Sequence, residues 1–206
     1  MLRTAFISIA FMGLTTSALY AQTAGLEFMA GPIGSWEADP GKEAEDAPDL
    51  AATWGIIPWL EAELGSAVGV GGEMAFLWTK NDLVDGERQL ILSPHARLRM
   101  SFPLVKKVTF DSFIALGPSI WVAPDDPEAV FGYPELSSDN SAQIVAAANQ
   151  TRFGWGIRFG FGASYAVNRT VSFFSHLGYY SSTTYGDDVT LEFEVIPLCV
   201  GLRAEY

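Results

Sequence analysis

The chain has 206 residues, 24 Asp and Glu against 12 Lys and Arg for a net charge of −12, 49% hydrophobic residues and only 17% charged ones. That is enough chain for one domain, with fewer charges than a water-soluble protein usually carries. The acidity excludes a nucleic-acid partner, because phosphate backbones are met by basic faces, and a single cysteine, Cys199, excludes an intramolecular disulfide.

The N-terminus reads as an export signal. Arg3 supplies a positive start, residues 5–14 an apolar run, and residues 15–21 a small polar stretch ending Ala18-Leu19-Tyr20-Ala21. The apolar run is about half of the roughly 20 residues a spanning helix needs, so residues 1–21 are assigned to a cleaved signal peptide and residues 22–206 to the mature domain. No cysteine follows the apolar run at the distance lipid modification would require. Beyond Ala21 every apolar stretch is interrupted before it could cross a bilayer as a helix, so a membrane-embedded mature chain has to be a closed barrel.

The rest of the chain carries period-two alternation, the mark of strands with two unlike faces. Taken in order, Leu26, Phe28 and Trp36 oppose Glu27 and Ser35; Trp54, Ile56, Leu60 and Leu64 oppose Glu61 and Glu63; Val68, Val70, Met74, Phe76 and Trp78 oppose Glu73. Leu92, Ala96, Leu98, Met100 and Phe102 oppose His95, Arg97, Arg99 and Ser101. Val108, Phe110, Ile114, Leu116, Pro118 and Ile120 oppose Thr109, Asp111, Ala115, Gly117 and Ser119. The cleanest stretch is 153–165, where Phe153, Trp155, Ile157, Phe159, Phe161, Ala163 and Tyr165 alternate with glycines, Arg158 and Ser164. Val171, Phe173, Leu177 and Tyr179 oppose Ser172 and His176, and the chain ends on Leu198, Val200, Leu202, Ala204 and Tyr206 opposite Cys199, Gly201, Arg203 and Glu205. These patterns predict about eight strands, near 25–36, 51–64, 66–79, 89–102, 107–122, 152–166, 170–182 and 189–206. Pro58 and Pro118 fall inside strands, and the phase slips near 195–197, so a bulge or a break in pairing is expected there.

Alternation alone does not say which face points outward, since a soluble ligand-carrying barrel shares the period. The placement of the aromatics, on the topology that the connection lengths give, decides it. Short links near 65, 103–106 and 167–169 alternate with longer polar ones near 37–50, 80–88, 123–151 and 182–188, the asymmetry of an up-and-down barrel in an outer membrane. On that topology Trp36, Trp54, Trp78 and Trp155 lie on the apolar face near the long loops, and Phe102, Phe110, Tyr165 and Tyr206 near the short turns, giving two aromatic girdles. The inward set then holds Glu27, Glu61, Glu63, Glu73, His95, Arg97, Arg99, Asp111, Arg158, His176 and Arg203. Unpaired charges in such a space are costly, so ion pairs are expected, with Arg99 opposite Asp111 and Arg203 drawn towards Glu27, and the network plugs the lumen. His176 and Cys199 are expected several residues out of register, which leaves no metal site, and no cofactor is expected.

The closing run Leu198-Cys199-Val200-Gly201-Leu202-Arg203-Ala204-Glu205-Tyr206 resembles the C-terminus of the small bacterial outer-membrane β-barrel superfamily. The resemblance, which spans 22–206, implies an all-β, antiparallel, up-and-down transmembrane barrel in the outer membrane of a Gram-negative cell. It further implies that Leu198, Val200, Leu202 and Tyr206 form the signal read by the barrel-assembly machinery, with periplasmic chaperones and lipopolysaccharide as other partners. It transfers no activity. Lipid A deacylases in that superfamily carry a His-x-Ser pair, and here the two histidines read His176-Leu177-Gly178 and His95-Ala96-Arg97, so no catalytic residue is assigned. The loops are acidic, at 37–49 and again at Asp125, Asp126, Glu128, Glu135 and Asp139, and residues 141–149 have the composition of a short helix over the barrel mouth. A structural or surface-interaction role through these loops is the leading expectation; a passive channel for small or apolar solutes is the alternative, and a lipid-modifying enzyme the third.

Overall fold

The computed structural model describes residues 23–39, 53–80, 88–123, 147, 150–186 and 189–206. The segment assigned to a signal peptide and nearly all of the acidic loop residues lie outside them. Eight strands follow one another: β1 (Thr23–Asp39), β2 (Thr53–Glu63), β3 (Val68–Lys80), β4 (Arg88–Val105), β5 (Val108–Val122), β6 (Arg152–Ala166), β7 (Val171–Thr184) and β8 (Thr190–Glu205). Each pairs antiparallel with its chain neighbours, and β8 returns to β1, so the sheet closes without a free edge. No strand end departs from its expected position by more than three residues.

β2 and β3 are joined by residues 64–67, β4 and β5 by 106–107, and β6 and β7 by 167–170. The two-residue turn places Lys107 at φ 74°, and Gly65 adopts φ 82° in the first turn, where the absent side chain makes that conformation free of strain. The strand termini Thr23 and Glu205 are paired at this same end.

The outer wall is apolar. Phe28, Leu98, Leu116, Phe159, Phe161, Phe173, Leu198, Val200 and Leu202 are each about half exposed although flanked by neighbours on both sides. The inner wall holds nearly everything that is buried, charged residues included.

Three details of register differ from the sequence reading. First, β8 does not slip: inward and outward residues alternate without interruption from Thr190 to Glu205, so Leu191, Phe193 and Val195 face inward along with Cys199 and Arg203. Apolar side chains mimic a slip here because this half of the lumen buries Leu191, Phe193 and Val195 on the inner wall. Second, the irregularity lies in β1, where the register against β8 shifts between Ala30 and Ile33. Pro32, which has no N–H to give to the ladder, stands in that interval. The shift sets Trp36 opposite Phe193 in the β1–β8 ladder; the Trp36 side chain, and with it the girdle position expected for it, lies outside the described residues. Third, Asp111 stands opposite Ser101, while Arg99 stands opposite Phe113. The ladder is centred on residue 106, one residue later than a symmetric turn at Val105 would place it, with a register shift between Pro103 and Val105 next to the turn itself.

Candidate functional site

With the outer wall committed to apolar contact, the chemistry of the described residues is concentrated inside. The lumen divides into two layers. The half nearer the short turns is charged, and the half nearer the long loops is mainly apolar, with Thr53, Thr79, Gln89, Arg152 and Thr184 buried in it.

The charged layer is built on β1–β6 and β8. Glu73, on β3, accepts from Arg97 Nη1 at 2.6 Å and from Arg158 Nη1 at 2.8 Å, and its other oxygen lies 3.2 Å from His95 Nδ1. Glu61 accepts from Arg97 Nε at 2.7 Å and from Arg99 Nε at 2.6 Å. Glu27 is paired with Arg158 from across the lumen and lies 3.9 Å from Arg97 Nη1. The side chains of Glu27, Glu61, Glu73, Arg97 and Arg158 are at most 1% exposed. Arg158 thereby bridges two carboxylates and Arg97 three, which offsets the desolvation that would otherwise expel the charges.

Nearer the short turns, Asp111 accepts from Ser101 Oγ at 2.5 Å and lies 3.6 Å from Arg99 Nη1 and 3.4 Å from Arg203 Nη1. Arg99 also pairs with Glu63. Arg203 therefore goes to Asp111, with Ser164 at 3.2 Å and Glu205 at 3.5 Å as its further partners, and not towards Glu27 as expected. The cause is register: Gly25 is the residue opposite Arg203, and Glu27 is opposite Gly201 and turned to Arg158.

Aromatic rings complete this layer, and the sequence reading passed over them. Phe113 carries Arg97 at 4.0 Å and Arg158 at 4.5 Å from its ring centre, and Trp59 lies 4.9 Å from Arg97. The wall yields to them at glycines. A Cβ on Gly160 would lie 2.7 Å from Phe113, on Gly201 2.4 Å from Phe174, and on Gly25 2.1 Å from Trp59. The glycines that alternate with aromatic residues are thus the space into which large inward side chains from neighbouring strands fit. Phe113 shares its phase with Asp111, which was the available sign that it points inward.

His176 stands directly opposite Cys199, not several residues away from it. Its ring lies between Phe174, 4.8 Å away, and Phe113, 5.4 Å away, with one edge over Gly162 on the β6 side, and neither ring nitrogen has a hydrogen-bond partner. Cys199 Sγ is 3.8 Å from Arg158 Nη2 on the other side. Among the described residues no three His, Cys, Asp or Glu side chains are grouped to hold a metal ion.

Above the charges comes a knot of hydroxyls. Ser93 bonds Ser119 at 3.0 Å and the Tyr180 hydroxyl at 2.8 Å, Ser182 donates to Ser119 at 2.7 Å, and Trp121 Nε1 donates to Ser182 at 2.8 Å. Around and beyond it Met29, Ile57, Ala75, Leu77, Ile91, Trp121, Leu191, Phe193 and Val195 form one buried cluster. Ala147, the one described residue of the 141–149 segment, is helical and joins that cluster at 6% exposure.

On the outer wall Trp54 stacks on Trp78 at 4.3 Å, and Trp155 is 57% exposed, all towards the long-loop end. Phe102, Phe110, Tyr165 and Tyr206 lie towards the short turns, with Tyr206 the most exposed at 85%. Leu198, Val200 and Leu202 point outward between them.

No protein-family model and no curated protein matches the chain. Solved structures do. Neisserial surface protein A is 15% identical, with 90% of this chain and 98% of that one covered at a TM-score of 0.52. Two others lie at a TM-score of 0.41: Ail, the attachment invasion locus protein of Yersinia pestis, at 13% identity over 89% of this chain and 99% of that one, and the outer membrane protein OprG from Pseudomonas aeruginosa, at 17% over 91% and 97%. The closed eight-stranded antiparallel barrel, with its apolar exterior and its short turns at one end, is the fold of the small outer-membrane barrels.

Proposed function

We propose that the chain is a non-enzymatic protein of the bacterial outer membrane whose filled barrel anchors its long loops at the cell surface, where they serve envelope structure or surface interaction. The observation that carries this reading is the occlusion of the lumen. Glu27, Glu61, Glu73, Arg97 and Arg158 fill the charged layer with essentially no exposure, and Ile57, Leu77, Ile91, Leu191 and Phe193 fill the apolar one with none. A path for an ion or a solute would have to open both.

The hydrolase reading lacks a constellation among the described residues. Ser175 is exposed on the outer wall, while its neighbour His176 is buried in the lumen, so the pair cannot share a substrate. Trp54, Trp78 and Trp155 serve as the outer-leaflet girdle, and Phe102, Phe110, Tyr165 and Tyr206 as the inner one. Leu198, Val200, Leu202 and Tyr206 serve the barrel-assembly machinery, delivered by periplasmic chaperones, and lipopolysaccharide surrounds the outer half.

The experiment is conductance across a planar bilayer holding the folded mature protein at high density. Silence supports a surface role. Ohmic single-channel steps that scale with protein would replace it with the passive channel.

A further inference from the structure

At the short-turn end three cations among the described residues stand apart from the lumen network. Lys106 and Lys107 form the β4–β5 turn, and Arg169 lies in the β6–β7 turn; all three are exposed, and none has a carboxylate at ion-pair distance among the described residues. β5 and β6 are neighbours, so the two turns lie side by side: Val108 pairs with Tyr165, and Ala166 N–H donates to the Lys107 carbonyl at 2.8 Å. Asn168 fixes the second turn by accepting from the N–H groups of Thr170 and Val171, each at 2.8 Å.

The setting is unusual for this chain. Acids outnumber bases two to one overall, at 24 to 12, yet residues 102–110 and 161–175 contain no acid; the acid nearest the turns is Glu205, whose N–H donates to the Thr170 carbonyl and whose carboxylate lies 3.5 Å from Arg203 Nε. Immediately inward from the turns the outer wall presents Phe102, Leu104, Val105, Tyr165 and Val167, each between 45% and 67% exposed, and Lys107 Nζ lies 5.8 Å from the Tyr165 ring. Fixed positive charge directly above a continuous apolar surface matches an amphiphile with an anionic head and hydrocarbon tails.

We propose that this quadrant is a binding site for an anionic glycerophospholipid in the leaflet facing the short turns, its phosphate held by Lys106, Lys107 and Arg169 and its chains lying on Leu104, Val105 and Tyr165. The inference rests on the membrane orientation proposed above. A zwitterionic head brings its own ammonium group to the same cations and gains far less. Each Lys or Arg near an acidic lipid surface strengthens the attraction about fivefold, and salt weakens it.

The test is native mass spectrometry of the full mature protein released from micelles containing equal amounts of phosphatidylglycerol and phosphatidylethanolamine with the same acyl chains. The wild type is expected to retain phosphatidylglycerol about tenfold or more over phosphatidylethanolamine. A Lys106→Ala, Lys107→Ala, Arg169→Ala variant should lose that preference, and Arg88→Ala, at the opposite end, should keep it. Equal retention of both lipids by the wild type, or an undiminished preference in the triple variant, overturns the site. Displacement of phosphatidylglycerol by an equal concentration of lipopolysaccharide would also overturn it, by assigning the cations to a different lipid. Gel mobility with and without boiling is read on the same samples. A wild type that shows no heat-shifted folded band contradicts the membrane barrel itself, whereas a shifted band with no lipid preference contradicts only the site.

Discussion

The indole of Trp59 lies over Gly25, its partner across β1 and β2, in the space where a Cβ on Gly25 would come within 2.1 Å of the ring. The two residues are one packing unit, with the strand wall thinned to admit a ring that also meets the Arg97 guanidinium. Gly25→Val is therefore expected to destabilise the barrel by about 1–3 kcal/mol through overpacking. A lower urea midpoint for unfolding from lipid vesicles checks it, and an unchanged midpoint would mean that the ring does not occupy this space.

Glu73 holds two guanidiniums at once, so its loss strands both Arg97 and Arg158. Glu73→Leu is expected to cost about 3–5 kcal/mol, the range for breaking a buried pair from one side. Arg203→Met should cost less, because its contacts to Asp111 and Ser164 are longer, at 3.4 and 3.2 Å. Equilibrium unfolding of the two variants ranks them, and equal costs would argue against Glu73 as the hub.

His176 offers the reverse case. Its ring nitrogens are buried without partners between two phenyl rings, so they contribute desolvation and no hydrogen bond. His176→Leu should leave stability unchanged or raise it, and a loss above about 1 kcal/mol would reveal a hydrogen-bond partner for the ring.

Cys199 is 1% exposed. A maleimide reagent should leave the folded protein unlabelled and label it after boiling in detergent. Rapid labelling of the folded barrel would show that the lumen is open at the level of Arg158.

The phase of β8 is testable by charge placement. Phe193 faces the apolar lumen layer with no exposure and Glu194 faces outward, so Phe193→Asp should prevent or severely weaken folding while Glu194→Ala is tolerated. Folded yield in vesicles, read by gel mobility, distinguishes the two.

Much of this architecture is legible in the sequence because a barrel strand has only two faces. Where one face is uniformly apolar, as in Phe153 to Tyr165, the phase reads directly. Legibility fails where the lumen itself turns apolar. Leu191, Phe193 and Val195 look like an outward run, and only the continuous pairing of β8 with β7 and β1 shows that they point in. The inward rings Trp59, Phe113 and Phe174 were hidden by the same rule. The charged residues are legible, and so is the Arg99–Asp111 ion pair at 3.6 Å, but not the register beneath it, because a turn centre displaced by one residue moves every cross-strand neighbour by two. That displacement sets Arg99 opposite Phe113 and Asp111 opposite Ser101, and in the β1–β8 register Arg203 stands opposite Gly25 while Glu27 turns to Arg158.

The apolar face is the outside of the barrel and the ion-paired face is the inside. Quenching of tryptophan fluorescence in vesicles of lipid with brominated acyl chains tests it most directly, using folded variants that keep only Trp155 or only Trp59. Trp155, 57% exposed on the outer wall, should be strongly quenched, and Trp59, 2% exposed beside Arg97, should be unaffected. Quenching of Trp59 with Trp155 untouched would turn the barrel inside out and contradict the account.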